Sequence, residues 1–452
     1  MSRPLVVALF FTLKLVLWNF QQHLLPPQFW IFMDPGFCGL DFGTTNSAIG
    51  VQRESAFELV RLEGSNTHMP SAILFDKESG QILMGQSARD MFMQGSDGRL
   101  IQSLKTVLGS STMDYYTHIA GFEYTFMDII GLMLKYMKNK AEEQVGREIE
   151  SVVLGRPVFY VDGDPERDKV AQDCMEEIAK NQGFKNVGFQ FEPIAAALDY
   201  EKTISEEKRV LVVDIGGGTA DFSVVNLVPY RGAIAQKSEI LANNGIHIGG
   251  NIFDTRLSLN KVMPALGMDS IYLNASGRKI GIPSAEFFDL AYWHRIALLK
   301  NSELLSDWRG ILKRSFSPKI LQRFLTVLEN EMGYYLYTVV EESKKALTSH
   351  DHMTADLGFI EKGFEIEFHP VNLKKAIREE VMRLESMVQD TIKDSGLELD
   401  QIDSLYYVGG STSIPYIRQR IQTLVPDAES VNGDIFGGVA KGLTIDAAKR
   451  FG

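Results

Sequence analysis

The sequence predicts an α/β protein of two related halves facing each other across a cleft, and three observations carry that prediction. An apolar, β-branched run, a tight glycine-containing turn beside an aspartate and a second β-branched run occur twice, at residues 37–51 (FCGLDFGTTNSAIGV) and 211–225 (LVVDIGGGTADFSVV). Asp41 and Asp214 head the two turns, 173 positions apart. Between the copies, strand and helix patterns alternate, as they do in an α/β half with a mixed sheet. The chain has 452 residues, 45% of them apolar and 23% charged, which is enough for two or three lobes with large cores.

In chain order, residues 1–32 form an apolar extension. Leu5–Phe20 is hydrophobic apart from Thr12, Lys14 and Asn19, shorter than the roughly 20 residues of a spanning helix and interrupted by a lysine. A signal peptide and a membrane segment stay open as readings. The preferred one is an over-extended start, with Met33 opening the first core strand. Residues 33–205 make the first half. Ile130, Met133, Leu134 and Met137 repeat at helical spacing, and so do Val170, Cys174 and Ile178 on a helix entered through Asp164-Pro165; Ser151–Val158 reads as a buried strand. Residues 206–430 make the second half, with a helical insertion at about 263–328 in which Trp293, Trp308 and Ile320–Leu328 sit at core spacing. Residues 431–452 close the chain as a helix returning to the first half.

Composition bounds function. A formal charge of −12 gives a field of the wrong sign for nucleic acid or anionic lipid. Cys38 and Cys174 are the only cysteines, too few for a disulfide framework or a cysteine metal site, so a reducing, cytoplasmic setting is expected.

Ordinary hairpin chemistry accounts for one or two glycines, not the three at Gly216, Gly217 and Gly218. Bare backbone offers N–H donors without side-chain obstruction, which is what a polyphosphate needs. Neighbouring carboxylates oppose a phosphate unless a cation lies between them, and hydrated Mg²⁺ is the usual one. A purely structural hairpin is the alternative for either copy taken alone. The commoner nucleotide loops do not occur: no Gly-Lys-Ser/Thr ends a P-loop and no G-x-G-x-x-G opens a dinucleotide fold.

Asp41-Phe42-Gly43-Thr44-Thr45-Asn46-Ser47 resembles the first phosphate motif of the actin-like ATPase domain of seventy-kilodalton heat-shock chaperones, and DIGGGTAD (Asp214–Asp221) resembles the second. Tyr407–Pro415 (YVGGSTSIP) is similar to the family's adenosine motif, EPIAAA (Glu192–Ala197) to its connecting helix and HIGGNIFD (His247–Asp254) to the segment after the second phosphate loop. The resemblance runs from Cys38 to the C-terminus. It implies an actin-like (ribonuclease H-like) fold of two lobes around a cleft, ATP/ADP and Mg²⁺ as cofactors, and ATP hydrolysis.

Carried over residue by residue, the resemblance makes Asp41, Asp214 and Glu192 the carboxylates that hold Mg²⁺ through water. Gly43, Thr44, Thr45, Asn46, Gly216, Gly217, Gly218 and Thr219 become the phosphate cradle, with Gly249 and Gly250 beside it. Thr219 and Asp221 take the attacking water or the metal shell, and Lys105 in SLKTVLG takes the catalytic lysine's place. Glu341, Lys344, Lys345, Gly409, Gly410, Ser411, Ser413 and Ile414 face the nucleoside. Each has a plainer alternative: turn caps for the threonines, an Asx turn for Asp221, an exposed lysine for Lys105 and a surface ion-pair ladder for Glu341, Lys344 and Lys345. Ser413 replaces the family's adenine-stacking arginine, which loosens base selection. The chain resembles the short, YegD-like bacterial branch, which lacks the peptide-clamping β-sandwich. The expected function is a slow ATPase of chaperone type, monomeric, acting on a protein client or co-chaperone. An actin-like filament protein and a nucleotide sensor with little hydrolysis are the alternatives.

Overall fold

The structure is a computed structural model that describes residues 36–54, 56–110, 116–119, 122–229 and 238–452. The apolar extension 1–32 lies outside the described residues. Among the described residues, no helix is long and apolar enough to cross a membrane.

Two sheets dominate. The first contains β1 (Gly36–Phe42), β2 (Asn46–Arg53), β3 (Ala56–Leu59), β4 (Ile149–Arg156) and β5 (Asn186–Phe191) in the order β5-β4-β1-β2-β3, with the short strand His68–Pro70 also on β2. The second contains β6 (Lys208–Ile215), β7 (Ala220–Leu227), β8 (Glu239–Ile246), β9 (Ser404–Val408) and β10 (Glu429–Asn432) in the order β8-β7-β6-β9-β10. The two orders are the same: an antiparallel three-strand meander whose first strand then runs parallel to two later strands. The actin-like duplication is therefore visible in the topology as well as in the turn sequences. Each glycine turn joins the first two strands of its meander, at the end where the central parallel strands finish, and open α/β sheets place ligands there.

Each lobe has its own core. In the first, the helix α1 (Phe126–Val145) buries Ile130, Met133, Leu134 and Met137, its start fixed by a capping box between Thr125 and Asp128. The helix α2 (Pro165–Asn181) turns a different face inward from the one its sequence spacing picks out. Ala171, Met175, Ile178 and Ala179 are buried, whereas Val170 is 52% exposed and Cys174 half-buried. Small Ala171 and Ala179 allow close approach of the helix, a signal that large-residue periodicity misses. In the second lobe, Trp308 packs edge-on against Phe287 and Phe324 inside the 263–328 region, while Trp293 stays half-buried.

A third apolar cluster joins the lobes. Two helices, α3 (Glu192–Tyr200) and α6 (Gly438–Phe451), bring Ile194, Ala195, Ala197, Val439 and Leu443 against Val153 of one sheet and Val212 and Val408 of the other. The small residues of both helices make the crossing tight. A Cβ at Gly442 would fall 1.7 Å from the carbonyl oxygen of Ala195, and one at Gly39 would fall 2.2 Å from the Thr444 amide nitrogen. Gly442→Val therefore forces the crossing helices apart, and it should cost about 2–3 kcal/mol as overpacking, read as a lowered midpoint in thermal unfolding. A midpoint equal to the parent's would show that the crossing yields without strain.

Candidate functional site

The two glycine turns meet. A Cβ at Gly217 would lie 2.1 Å from Thr45 Cγ2, and one at Gly218 would lie 2.7 Å from Thr44 Oγ1. No side chain fits at either glycine while the lobes stand this close. The turns line a cleft of about 470 Å³, a size suited to a small ligand. The amides of Thr44, Thr45, Gly217 and Gly218 donate no hydrogen bond among the described residues. Buried or partly buried amides are seldom left so.

The second turn is held from behind. The helix α4 (Gly250–Leu257) spends its first amides on it: Gly250 N–H donates to Gly216 O at 3.0 Å and Asn251 N–H to Gly217 O at 2.8 Å. Ser411 Oγ donates to the same Gly216 carbonyl at 2.8 Å. Gly409 is left-handed, at φ +78°, and its absent Cβ would collide with Asp214 Oδ1 and Ile215 O, both at 2.5 Å. Thus Gly409 is required both by backbone conformation and by space.

The acidic groups converge from three elements. Asp41 ends β1, Asp214 ends β6 and Glu192 opens α3, all lining the cleft with Lys105. Burial, Glu192 and then the opposing pull of Lys105 leave the Asp41 carboxyl pushed up to about 7. Asp214 is pushed well above the usual range by burial and by Glu192, Asp221 and Asp41. Lys105 is the balancing cation. Burial works against its charge, but Glu192, to which its Nζ is paired, and Asp41 outweigh burial and hold the ammonium protonated well above its usual range. Lys105 follows Ser103, whose φ of +55° is unusual for a residue with a side chain, and strain of this kind gathers at functional positions. The same loop is tied down by Arg167, whose Nε donates to Gly109 O at 2.8 Å.

The donor set fits a hydrated cation. Glu192 raises the proton affinity of both Asp41 and Asp214, and a positive charge between the carboxylates relieves that repulsion. Among the described residues, no group of three or more His, Cys, Asp or Glu is arranged to ligate an ion directly.

Two of the sequence-derived residues do not reach the cleft. Asp221 is only 1% exposed and faces inward, accepting Val158 N–H at 2.7 Å and a hydrogen bond involving Thr219; burial and Glu192 push its carboxyl up to about 7. Gly249 lies beneath the second turn, where a Cβ would fall 2.6 Å from the Gly217 carbonyl carbon. Both lie directly behind residues that do line it.

At the other end, the helix α5 (Gly333–Ala346) carries Glu341, Lys344 and Lys345 to the cleft. Lys344 Nζ is buried and donates to Gly250 O at 3.0 Å and to Asp254 Oδ2 at 2.8 Å. Burial raises the Asp254 carboxyl to about 6 against the pull of Lys344. Glu341 is paired with Arg89 from the opposite lobe and, at 3.0 Å, with Lys345. Burial pushes Glu341 up, but Arg89, Lys345 and Lys344 prevail and hold it at about 2. Lys345 also meets Glu342 at 2.9 Å, so the surface ladder and the cleft wall are the same residues. Gly410, Ser413 and Ile414 complete this wall.

Arg89, Asp254, His68 and Phe436 also line the cleft, and the sequence alone assigns none of them a role. Asp254 had a signal, since it closes the quoted HIGGNIFD segment. Arg89 had none, because its partner lies 252 positions away.

The family model for "Hsp70 protein" matches residues 37–263 and 328–450 of this chain, leaving out most of the helical insertion. Chaperone protein DnaK of Thermosipho melanesiensis is 28% identical over 413 residues, covering 91% of this chain and 58% of that protein. Chaperone protein DnaK of Halobacterium salinarum is 27% identical over 419 residues, covering 90% and 54% respectively. The chain thus spans a little over half the length of the curated relatives it matches.

Proposed function

The chain belongs to the Hsp70 family, and from that premise we propose that it binds ATP between its lobes and hydrolyses it slowly, with nucleotide state setting how closely the lobes stand and so its grip on a protein client or co-chaperone. The observation that carries this reading is the meeting of the two glycine turns over unpaired amides, beside a cluster of carboxylates balanced by one buried lysine.

The phosphates lie against the amides of Thr44, Thr45, Gly217 and Gly218, with the hydroxyls of Thr44, Thr45 and Thr219 alongside. Mg²⁺, held through water by Asp41, Asp214 and Glu192, supplies charge neutralisation for the terminal phosphates when bound. Lys105 stays protonated and presents its charge to the phosphoryl oxygens. Thr219 holds the attacking water at the cleft surface, and Asp221 acts through Thr219 rather than by touching the water. Arg89 and Glu341 tie the lobes across the nucleoside end, so opening the cleft separates a largely buried ion pair.

Thermal unfolding with and without Mg²⁺-ATP, run beside phosphate release, tests the reading. A ligand that binds only the folded chain raises its stability by about 4 kcal/mol at a thousandfold excess over Kd, so the midpoint should rise and phosphate should appear. An unchanged midpoint at millimolar nucleotide sinks the proposal. A shift without phosphate leaves a sensor, and ATP-dependent pelleting points to filament assembly.

A further inference from the structure

The cleft is chemically divided. Asp41, Lys105, Glu192 and Asp214 crowd one end, whereas the lining also includes the apolar Ile414, Ile435, Phe436 and Val439, beside the charged Glu341, Lys344 and Lys345 of the other end. Phe436 and His68 are the only aromatic rings among the described residues that line the cleft. The Phe436 ring is 43% exposed and belongs to none of the three cores. It lies beside the Gly409-Gly410 pair, its Cε1 3.4 Å from where a Gly410 Cβ would stand. Its other face is covered: the His68 ring stacks on it with centroids 4.6 Å apart and planes 19° apart. His68 sits on the short strand that pairs with β2, in register with Ala48, while Phe436 sits in the segment leading into α6. A flat apolar ring that lines the cavity is thus stacked on one side and still 43% exposed, two features that suit a stacking surface.

We propose that Phe436, backed by His68, is the platform on which the base of the bound nucleotide stacks, and that it supplies affinity for the nucleoside without choosing among bases. This rests on the nucleotide reading above and adds the residue that determines how the base is held. Every base has a π-face, so a ring platform is tolerant of base identity, whereas discrimination needs hydrogen bonds to base edges. The neighbouring side chains favour tolerance: Ser413 has one small hydroxyl, and Ile414, Ile435 and Val439 have no polar atom to offer. An open Phe436 also explains why a solvent-facing aromatic lies in a polar cleft: a stacked base would remove its exposed face from water.

The test is titration calorimetry with Mg²⁺-ATP, Mg²⁺-GTP and Mg²⁺-tripolyphosphate on the wild-type chain and on Phe436→Ala, Phe436→Tyr and His68→Ala. Phe436→Ala should weaken ATP and GTP by similar factors, about fivefold to a hundredfold for the loss of one stacking face, and leave tripolyphosphate unchanged. Phe436→Tyr should restore both nucleotides, and His68→Ala should weaken both by a smaller factor. Wild-type protein that binds none of the three ligands would overturn the nucleotide reading itself. If the wild type binds ATP but Phe436→Ala binds it equally well, loses tripolyphosphate in proportion, or loses ATP alone, the platform is wrong and the nucleotide reading survives.

Discussion

Lys105→Ala should retain nucleotide while phosphate release falls by about a hundredfold to a thousandfold, the usual consequence of deleting one pre-organised charge donor from a phosphoryl-transfer or acyl-transfer site. The expectation follows from where the ammonium stands. It is 7% exposed, paired with Glu192 and close enough to Asp41 for that carboxylate to raise its proton affinity, so its charge is fixed before any ligand arrives. On the proposed reading, binding draws on the backbone amides of four other residues and should persist. The same substitution carries a second, separable effect. Glu192 is 8% exposed and would be left among Asp41, Asp214 and Asp221 without a cation, and breaking a buried pair in this way costs about 3–5 kcal/mol. Combining Lys105→Met with Glu192→Gln removes both charges, so it should recover much of the lost midpoint and none of the lost turnover. Single-turnover phosphate release and thermal unfolding on both variants separate the two effects. Full turnover in Lys105→Ala would strip the lysine of its role.

Most of the architecture was legible because it is local and repeated. Asp41-Phe42-Gly43 and Asp214-Ile215-Gly216 each state a strand, a turn and a charge within three residues, and the repeat across the chain implies two lobes with one cleft. What could not be read is the pairing between distant segments. Lys105 and Glu192 were each marked, but the ion pair between them was not, since nothing in SLKTVLG or EPIAAA specifies the other. Arg89 on Glu341, His68 on Phe436 and the Val158 amide on Asp221 are contacts of the same kind, fixed by lobe packing and invisible to periodicity. The inward face of α2 shows the complementary failure. Alanines carry little hydrophobic signal, yet at Ala171 and Ala179 their small size is what lets the helix settle.

Asp221→Asn should make the ligand-free protein more stable at pH 8 and less dependent on pH, an outcome opposite to that of most substitutions in a core. The carboxyl stands at about 7 in the folded chain against 3.8 for the unfolded one, a difference worth about 4 kcal/mol at most when the group is ionised in both states. Above pH 7 the full cost is present, because burial and Glu192 disfavour the folded carboxylate. Between about pH 7 and pH 4 the folded chain holds a proton that the unfolded chain has released, so stability rises as pH falls across that window and levels off below it. Asp41, also at about 7, and Asp214 act in the same direction. Glu341, held at about 2, acts oppositely, but only below pH 4.5. Asparagine keeps an oxygen for the Val158 amide and removes the charge, so the hydrogen bond survives while the repulsion goes. Melting curves from pH 4 to pH 8 should therefore slope downward for the wild type and stay flatter for the variant, with the two converging near pH 4. Nucleotide stabilisation should shrink in the variant, because a bound cation would have less negative charge to relieve. A variant less stable than wild type at pH 8 would mean that the carboxylate is already compensated in the ligand-free protein, and the cluster would then be a structural network rather than a site waiting for positive charge.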